Sequence, residues 1–128
     1  MAENNPRILI VEDSVRVSDL ISRILEDMGY KNIRIATTGK DAVIEAKAKK
    51  PDLVLLDLGL PDIHSGEVLR RIKSIDKNIP VIIVTAYPYS MEAKEIQGQE
   101  IADFITKPFD INDFKKRITK VLARNLKD

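Results

Sequence analysis

The sequence has no cysteine and a single histidine, His64. Without cysteine the chain cannot form disulfide bonds, use a thiolate nucleophile or bind zinc through sulfur. One histidine also excludes a metal site that needs several imidazole ligands from one chain. The 21 Lys and Arg residues almost balance the 20 Asp and Glu residues, so the net charge is +1. This balance argues against a strongly basic nucleic-acid-binding protein and leaves only a local basic patch open, so we expect no direct binding to nucleic acid.

Long hydrophobic runs are also absent. The longest apolar runs are residues 8–11, 53–56 and 81–84, and each is far shorter than the roughly 20 residues that span a bilayer. Residues 1–7 are polar and lack the apolar core of a signal peptide. We therefore expect no membrane insertion and, by elimination, a cytoplasmic location.

The remaining composition is that of one folded domain. The 128 residues are 44% hydrophobic and 32% charged, which excludes a disordered chain and is enough for a core. We predict a single domain over residues 1–128, with its core between about residue 7 and residue 126.

Short apolar runs alternate with amphipathic stretches along the chain. The runs are mostly continuous and rich in Ile and Val, which is typical of parallel strands covered on both faces. They occupy residues 8–11, 33–36, 53–56, 81–84 and 104–105. Helical periodicity follows each run and is weakest in the fourth helix, at about residues 88–97. The alternation predicts an α/β fold, with one parallel sheet, right-handed crossovers and helices on both faces.

Several residues mark where the predicted helices begin and end. Gly29 offers a stop for the first helix. Thr38 followed by Asp41 resembles a capping box for the second helix, and Asp110 is a predicted cap for the fifth. The predicted apolar faces include Val17, Leu20, Ile21, Ile24, Leu25 and Met28 in the first helix, Met91 in the fourth and Ile111 in the fifth.

Five polar residues follow the predicted strands where those strands end. They are Glu12 and Asp13 after the first strand, Asp57 after the third, Thr85 after the fourth and Lys107 after the fifth. Parallel strands end at one edge of their sheet, and ligands bind in the crevice outside that edge. We therefore expect three acids, one hydroxyl and one ammonium to meet in a single crevice.

Three carboxylates in one crevice would repel one another unless they shared a cation. Oxygen ligands without His or Cys favour a hard ion, and Mg²⁺ suits an open, partly hydrated site. Lys107 and Thr85 could bind a phosphoryl group from the far side. One carboxylate would then be the nucleophile, and Asp57 is the best candidate because it directly follows the central apolar run.

Each of these residues also has an ordinary explanation. Glu12 and Asp13 could form a solvated turn or a helix cap, and Asp57 could be a turn residue. Lys107 could be a surface charge before a proline. Their joint occurrence at one sheet edge favours the functional interpretation. His64 lies in a loop with proline and glycine, and we predict an exposed loop or cap residue rather than a phospho-acceptor.

Four segments carry a family resemblance: ILIVED at 8–13, DLVLLDLGLPD at 52–62, VTA at 84–86 and FITKPF at 104–109. With these motifs in this order, the chain resembles the receiver domain of two-component response regulators from residue 7 to about residue 126. The resemblance implies a flavodoxin-like, doubly wound (βα)5 fold, with a single five-stranded parallel sheet in the strand order 2-1-3-4-5.

The resemblance implies a role for each acidic residue. Asp57 would be the phospho-acceptor. Asp13, Asp57 and the backbone carbonyl of Gly59 would ligate Mg²⁺, with Mn²⁺ as an alternative ion, and Glu12 would act near the metal. Gly59 also lacks a side chain that could influence how long the phosphoryl group survives.

The resemblance assigns the opposite side of the crevice as well. Thr85 and Lys107 would bind the phosphoryl oxygens, and Phe104 would be the switch residue that turns inward as Thr85 moves. Tyr87 would flank the path of the attacking water and so affect the phosphoryl lifetime. The peptide bond between Lys107 and Pro108 is expected to be cis.

By the same resemblance the chain is a phosphorylation-activated switch of a two-component or phosphorelay system, a signalling protein rather than an enzyme. A sensor histidine kinase or a phosphotransfer protein would donate the phosphoryl group to Asp57 in a Mg²⁺-dependent reaction. Phosphorylation would change the binding of a downstream protein target, and intrinsic self-phosphorylation and autodephosphorylation are expected.

The resemblance also allows a homodimer through the fourth helix, the fifth strand and the fifth helix. No output domain is predicted in this chain, so a stand-alone receiver and a domain excised from a larger regulator both remain open.

Three other functions compete with a signalling switch. A receiver-like scaffold that does not use phosphorylation is disfavoured by the complete set of acids, threonine and lysine. A Mg²⁺-dependent phosphohydrolase commonly carries a second acid two residues after its nucleophile, where this chain has Gly59. A dinucleotide-binding domain is disfavoured because no glycine fingerprint follows the first strand.

Overall fold

Five strands and five helices alternate in the computed structural model, which describes residues 5–126. The elements are β1 (Ile8–Val11), α1 (Val15–Asp27), β2 (Ile33–Ala36), α2 (Gly39–Ala48), β3 (Leu53–Leu56), α3 (Ser65–Ile75), β4 (Val81–Thr85), α4 (Met91–Gln97), β5 (Asp103–Thr106) and α5 (Ile111–Leu126). All strand pairs are parallel, and the sheet order is β2-β1-β3-β4-β5. The predicted fold is confirmed. None of the helices within residues 5–126 is long and apolar enough to cross a membrane.

Alternate residues of the buried strands point to opposite faces of the sheet, and each face has its own core. One core joins the strands to α2, α3 and α4, with Ala42, Val68 and Ile96 among its buried residues. The other joins the strands to α1 and α5, where Ile21 and Phe114 are buried. Helices cover both faces, which explains why the strand sequences are continuous apolar runs.

The helix ends follow local rules that the sequence displays. The Ser14 hydroxyl accepts a hydrogen bond from the Val17 amide at the start of α1. Gly29, with φ of +97°, follows the last turn of α1, and the Tyr30 amide donates to the Leu25 carbonyl. This left-handed residue and its backbone bond form the glycine stop that ends many helices.

The fourth helix is shorter than its predicted span. It begins at Met91 because the Ser90 side chain caps it, accepting from the Ala93 amide at 3.1 Å. Pro88 and Tyr89 therefore lie in the preceding loop. With seven residues and only Ala93 and Ile96 buried, α4 has little apolar contact with the sheet.

Three apolar residues that the periodicity places on buried helix faces are exposed. The exposed fractions are 47% for Leu20, 75% for Met91 and 47% for Ile111. Leu20 lies at the margin of the apolar stripe of α1, and Ser18 is buried instead, with its hydroxyl donating to the Val15 carbonyl. A helix buries only part of its apolar stripe when it packs on a flat sheet, so residues at the margin stay in contact with water.

Arg34 on the edge strand β2 ties this strand to the end of α2. Its guanidinium donates to Glu45 Oε1 at 2.7 Å and to the carbonyl oxygens of Glu45 and Lys49 at 3.0 and 2.6 Å. Among the described residues, Arg34 Nε is the only buried side-chain nitrogen or oxygen without a hydrogen-bond partner.

Candidate functional site

The register of the central strands brings the acidic residues together. Val11 of β1 pairs with Leu56 of β3, so the residues that follow these strands are neighbours. One carboxylate oxygen each from Glu12, Asp13 and Asp57 lies within 4.8 Å of the others. Glu12 is buried and Asp13 is exposed, so the cluster runs from the protein interior to the surface.

Lys107 inserts its ammonium between two of these acids. Its Nζ donates to Glu12 Oε1 at 2.8 Å and to Asp57 Oδ2 at 3.2 Å. The Lys107 amide donates to the Thr85 carbonyl at 2.8 Å, and the peptide bond to Pro108 is cis. The two ammonium contacts show that the Lys107 side chain points into the crevice from the end of β5.

The electrostatics of the cluster raise the pKa of Asp57. Burial is the largest cause and the Glu12 charge adds to it, while the Lys107 ammonium opposes both, so the pKa of Asp57 rises to about 6. Burial lowers the pKa of Lys107, but the hydrogen bond to Glu12 and the charge of Asp57 outweigh it and raise that pKa overall. When all are ionised, three carboxylates and one ammonium leave two negative charges, which one divalent cation would balance.

The backbone after β3 is held around Asp57. The Leu58 amide donates to Asp57 Oδ1 at 2.8 Å, and the Ser65 hydroxyl donates to the Asp57 carbonyl at 3.2 Å. Gly59 has φ of +76°, in the left-handed region where glycine carries no steric penalty. The loop thus turns sharply two residues after Asp57.

Thr85 and Phe104 lie on the neighbouring strands β4 and β5, and neither is hydrogen-bonded to the acids among the described residues. Thr85 is fully buried, and its Oγ1 accepts from the Tyr87 amide at 3.1 Å. Within the described residues no hydrogen bond links its hydroxyl to Asp57 or Lys107. Phe104 is half-buried against the core that faces α2, α3 and α4, and the Tyr87 side chain is 70% exposed.

His64 occupies the cap position of α3 and makes no side-chain cap hydrogen bond. Its ring is exposed, with Nδ1 lying 3.4 Å from Glu95 Oε2. This position agrees with the predicted loop or cap residue.

Two further acids organise the loop after β3, and the sequence motifs assign a role to neither of them. Glu92 accepts from the Gly59 amide at 3.1 Å and from the Ser65 amide at 3.0 Å. Asp62 accepts from the backbone amides of Gly39 and Lys40 at the start of α2, at 2.8 and 3.0 Å. These partners are 22 to 33 residues away in the sequence, and backbone donors leave no trace in residue type.

Known proteins share both the sequence pattern and the fold. Sporulation initiation phosphotransferase F from Bacillus subtilis (strain 168) is 36% identical over 118 residues, covering 92% of this chain and 94% of that protein. Several other curated relatives are longer, and this chain spans 28%, 50% or 53% of their length.

Solved structures give the same result. A CheY-like response regulator receiver domain protein from Methanospirillum hungatei JF-1 has a TM-score of 0.88 and 28% identity, covering 95% of this chain and 97% of that chain. The receiver domain of sensor histidine kinase PA1611 from Pseudomonas aeruginosa PAO1 has a TM-score of 0.85 at 23% identity, covering 93% and 98%, and shares the fold. In that protein a magnesium ion is coordinated in the active site cleft.

The family model described as response regulator receiver domain matches residues 8–119, which include every strand and the acids, threonine and lysine at the sheet edge. The chain therefore belongs to the response regulator receiver domain family.

Proposed function

We propose that this chain is a phosphorylation-activated signalling switch with Asp57 as its phospho-acceptor. The observation that carries the proposal is the position of the Lys107 ammonium, 2.8 Å from Glu12 and 3.2 Å from Asp57, beside three clustered carboxylates. One cation and a set of oxygen ligands around a reactive carboxylate suit the transfer of a phosphoryl group, in which catalysis is mostly positioning and charge stabilisation.

The residues present fit a Mg²⁺ ion. Asp13 and Asp57 would hold it, with the backbone carbonyl of Gly59 as a third protein ligand and Glu12 close by; Mn²⁺ would use the same oxygens. The excess of two negative charges in the cluster favours a divalent ion. When bound, the ion would offset the negative charge that develops on the phosphoryl group. The magnesium in the cleft of the PA1611 receiver, which shares this fold, agrees with this assignment.

The transfer step begins with attack of an Asp57 carboxylate oxygen on the phosphorus of a phosphohistidine on the partner protein. A P–O bond forms, the P–N bond breaks, and the departing imidazole takes up a proton from solvent, which leaves an acyl phosphate on Asp57. With its pKa of about 6, Asp57 is mostly ionised at neutral pH and so is able to attack. Lys107 would bind a phosphoryl oxygen once its contact with Asp57 is replaced.

The response to phosphorylation would begin at Thr85. Its hydroxyl oxygen accepts from the Tyr87 amide, so turning toward a phosphoryl oxygen would break that contact and release the loop before α4. Phe104, half-buried against the core that contains Ala93 and Ile96 of α4, would then move further inward. The shape of α4 and β5 would change, and with it the affinity for a downstream protein.

In this proposal a sensor histidine kinase or a phosphotransfer protein supplies the phosphoryl group in the cytoplasm, and residues 1–128 act as one receiver domain without direct binding to nucleic acid. A homodimer through α4, β5 and α5 is a further arrangement of the phosphorylated form. The phosphotransferase with 36% identity supports a place in a phosphoryl-transfer chain.

Acetyl phosphate tests the proposal without a partner. We expect the purified chain to gain one phosphoryl group in the presence of Mg²⁺, to lose it on treatment with hydroxylamine, and to gain none after EDTA. Asp57→Asn is the matched control and should gain none. A folded wild-type chain that binds Mg²⁺ but gains no mass would contradict the proposal and favour the scaffold function. Turnover of a generic phosphate ester would favour the phosphohydrolase.

A further inference from the structure

Glu92 connects α4 to the loop that carries the candidate site. It lies in the first turn of α4, and its side chain is only 21% exposed. Oε1 accepts from the Gly59 amide at 3.1 Å and Oε2 accepts from the Ser65 amide at 3.0 Å. One carboxylate therefore accepts hydrogen bonds from both ends of the seven-residue segment 59–65.

The two amides that Glu92 binds have different roles. Ser65 is the first residue of α3, whose cap residue His64 provides no side-chain hydrogen bond. Glu92 of α4 accepts a hydrogen bond from the Ser65 amide, which has no partner within α3. The negative charge of Glu92 also stabilises the N-terminus of α3. The Ser65 hydroxyl in turn donates to the Asp57 carbonyl at 3.2 Å. Gly59 is the residue whose carbonyl is assigned to the metal in the proposed function.

Because α4 is short, the hydrogen bonds of Glu92 contribute a large part of its attachment to the rest of the domain. Among its seven residues only Ala93 and Ile96 are buried, so apolar packing alone holds the helix weakly. Two hydrogen bonds to an ionised carboxylate are strong relative to such packing. A change in the position of α4 must therefore stretch the bonds to Gly59 and Ser65, and a change in the loop must pull on α4.

We propose that Glu92 is a positioning residue that couples the placement of α4 to the affinity of the loop for Mg²⁺. The inference rests on the proposed function, since it needs Mg²⁺ beside Asp57 and Gly59. The coupling is reciprocal: a bound ion that fixes the loop stabilises the attachment of α4, and a displaced α4 weakens ion binding. It is a second link between the site and α4, separate from the link through Thr85 and Tyr87.

Isothermal titration calorimetry of each folded variant with Mg²⁺ tests the coupling between α4 and the metal site. We expect Glu92→Ala to weaken Mg²⁺ binding about fivefold or more. Glu92→Gln has one acceptor oxygen for two amide donors, so its affinity should fall between those of Glu92→Ala and the wild type. Glu95→Ala is the matched control because it also removes a charge from α4, while Glu95 contacts the exposed ring of His64 and the Gly59 and Ser65 amides donate to Glu92; it should bind Mg²⁺ like the wild type.

Hydrogen exchange of the α4 amides provides a second measurement. If Glu92 had a purely structural role, the effect of Mg²⁺ on this exchange would be the same in Glu92→Ala and the wild type. In the wild type, Mg²⁺ should slow this exchange, and in Glu92→Ala the exchange should not depend on Mg²⁺. Equal Mg²⁺ affinities in Glu92→Ala and the wild type would overturn the inference, and if Glu92→Ala does not fold, equal affinities in Glu92→Gln and the wild type would do so. A wild-type chain that binds no Mg²⁺ would instead refute the metal site of the proposed function.

Discussion

The ammonium of Lys107 lies 2.8 Å from Glu12 Oε1, joining residues that are 95 positions apart in the chain. Glu12 is only 3% exposed, so without this partner its charge would be buried and uncompensated. The same ammonium reaches Asp57 at 3.2 Å. Lys107 therefore has two functions to separate: it stabilises a buried acid, and it is the candidate ligand of the phosphoryl group.

Replacing Lys107 should reduce the response to phosphorylation more than it reduces Mg²⁺ binding. Lys107→Ala removes the mobile cation but none of the proposed metal ligands. Chemical-shift changes of the β4–α4 segment on addition of acetyl phosphate should shrink, while the Mg²⁺ titration changes little. Lys107→Arg keeps the positive charge and is the control for stability. Loss of folding, of Mg²⁺ binding and of the response together in both variants would show a purely structural ion pair.

Removing Asp13 should abolish measurable Mg²⁺ binding without unfolding the chain. Asp13 is exposed, so Asp13→Ala creates no cavity, and it relieves repulsion with Glu12 and Asp57. Phosphorylation by acetyl phosphate should be lost with the metal. Asp19→Ala, an exposed acid on α1 that pairs with Arg23, is the control. Equal Mg²⁺ affinity in Asp13→Ala and the wild type would exclude Asp13 as a ligand.

Asp57 should make the metal-free chain less stable as the pH rises. Its pKa is about 6 in the folded chain and near 3.8 when unfolded. Between these values the folded state binds more protons than the unfolded state, so the free energy of unfolding falls with rising pH. This loss in the free energy of unfolding is absent below the pKa of Asp57 in the unfolded chain and complete above about pH 6.

Urea unfolding of Asp57→Asn and the wild type with EDTA measures this effect. The variant should gain little at about pH 4 and about 1–2 kcal/mol at about pH 7, a value reduced for solvent screening. Saturating Mg²⁺ should stabilise the wild type alone. A clear loss of stability in Asp57→Asn at neutral pH would mean that Asp57 is a structural residue.

The sequence predicts most of the fold because its signals are local. The apolar runs predict β1, β2 and β3 to the residue, and β4 and β5 each extend beyond their runs by polar residues, Thr85 in the first and Asp103 and Thr106 in the second. Edge strands bury less surface, so β5 has a shorter apolar run than the central strands.

The candidate site is predictable only in part. Glu12, Asp13, Asp57 and Lys107 each follow a strand, so the topology alone brings them together. Glu92 escapes prediction because it binds backbone amides of a distant loop, and such donors are the same in every residue type but proline.

Tyr87 should slow the loss of phosphate from Asp57. Its ring is 70% exposed beside the end of β4, and its amide is held by Thr85. We expect the ring to shield the acyl phosphate from water, so that Tyr87→Ala speeds hydrolysis by no more than about tenfold, or ~1.4 kcal/mol of barrier. Tyr89→Ala, at a side chain that is 90% exposed, is the control. Slower hydrolysis in both Tyr87→Ala and Tyr87→Phe would mean instead that the hydroxyl positions the water.

Gly39 should be required for the close approach of α2 and α3. A Cβ at this position would lie 2.7 Å from Val68 Cγ2 and 3.1 Å from Ile63 Cβ. Gly39→Ala should therefore destabilise the chain by about 1–3 kcal/mol in urea unfolding, through overpacking. Gly98→Ala is the control, because a Cβ there meets nothing closer than 3.6 Å and φ is −82°. Equal stability of the two variants would show that α2 can shift freely.

The guanidinium of Arg34, on the edge strand β2, has a consequence for solubility. Edge strands expose unpaired amides and carbonyls that can recruit a strand from another molecule, and an inward-pointing charge is one device that prevents this. Arg34 stands on β2, which pairs only with β1, and its charge is held by the last carbonyls of α2. A second molecule adding a strand here would have to pack beside a charged side chain that is bonded to α2. We therefore expect this charge to hinder the addition of a foreign strand at β2, the edge of the sheet opposite β5.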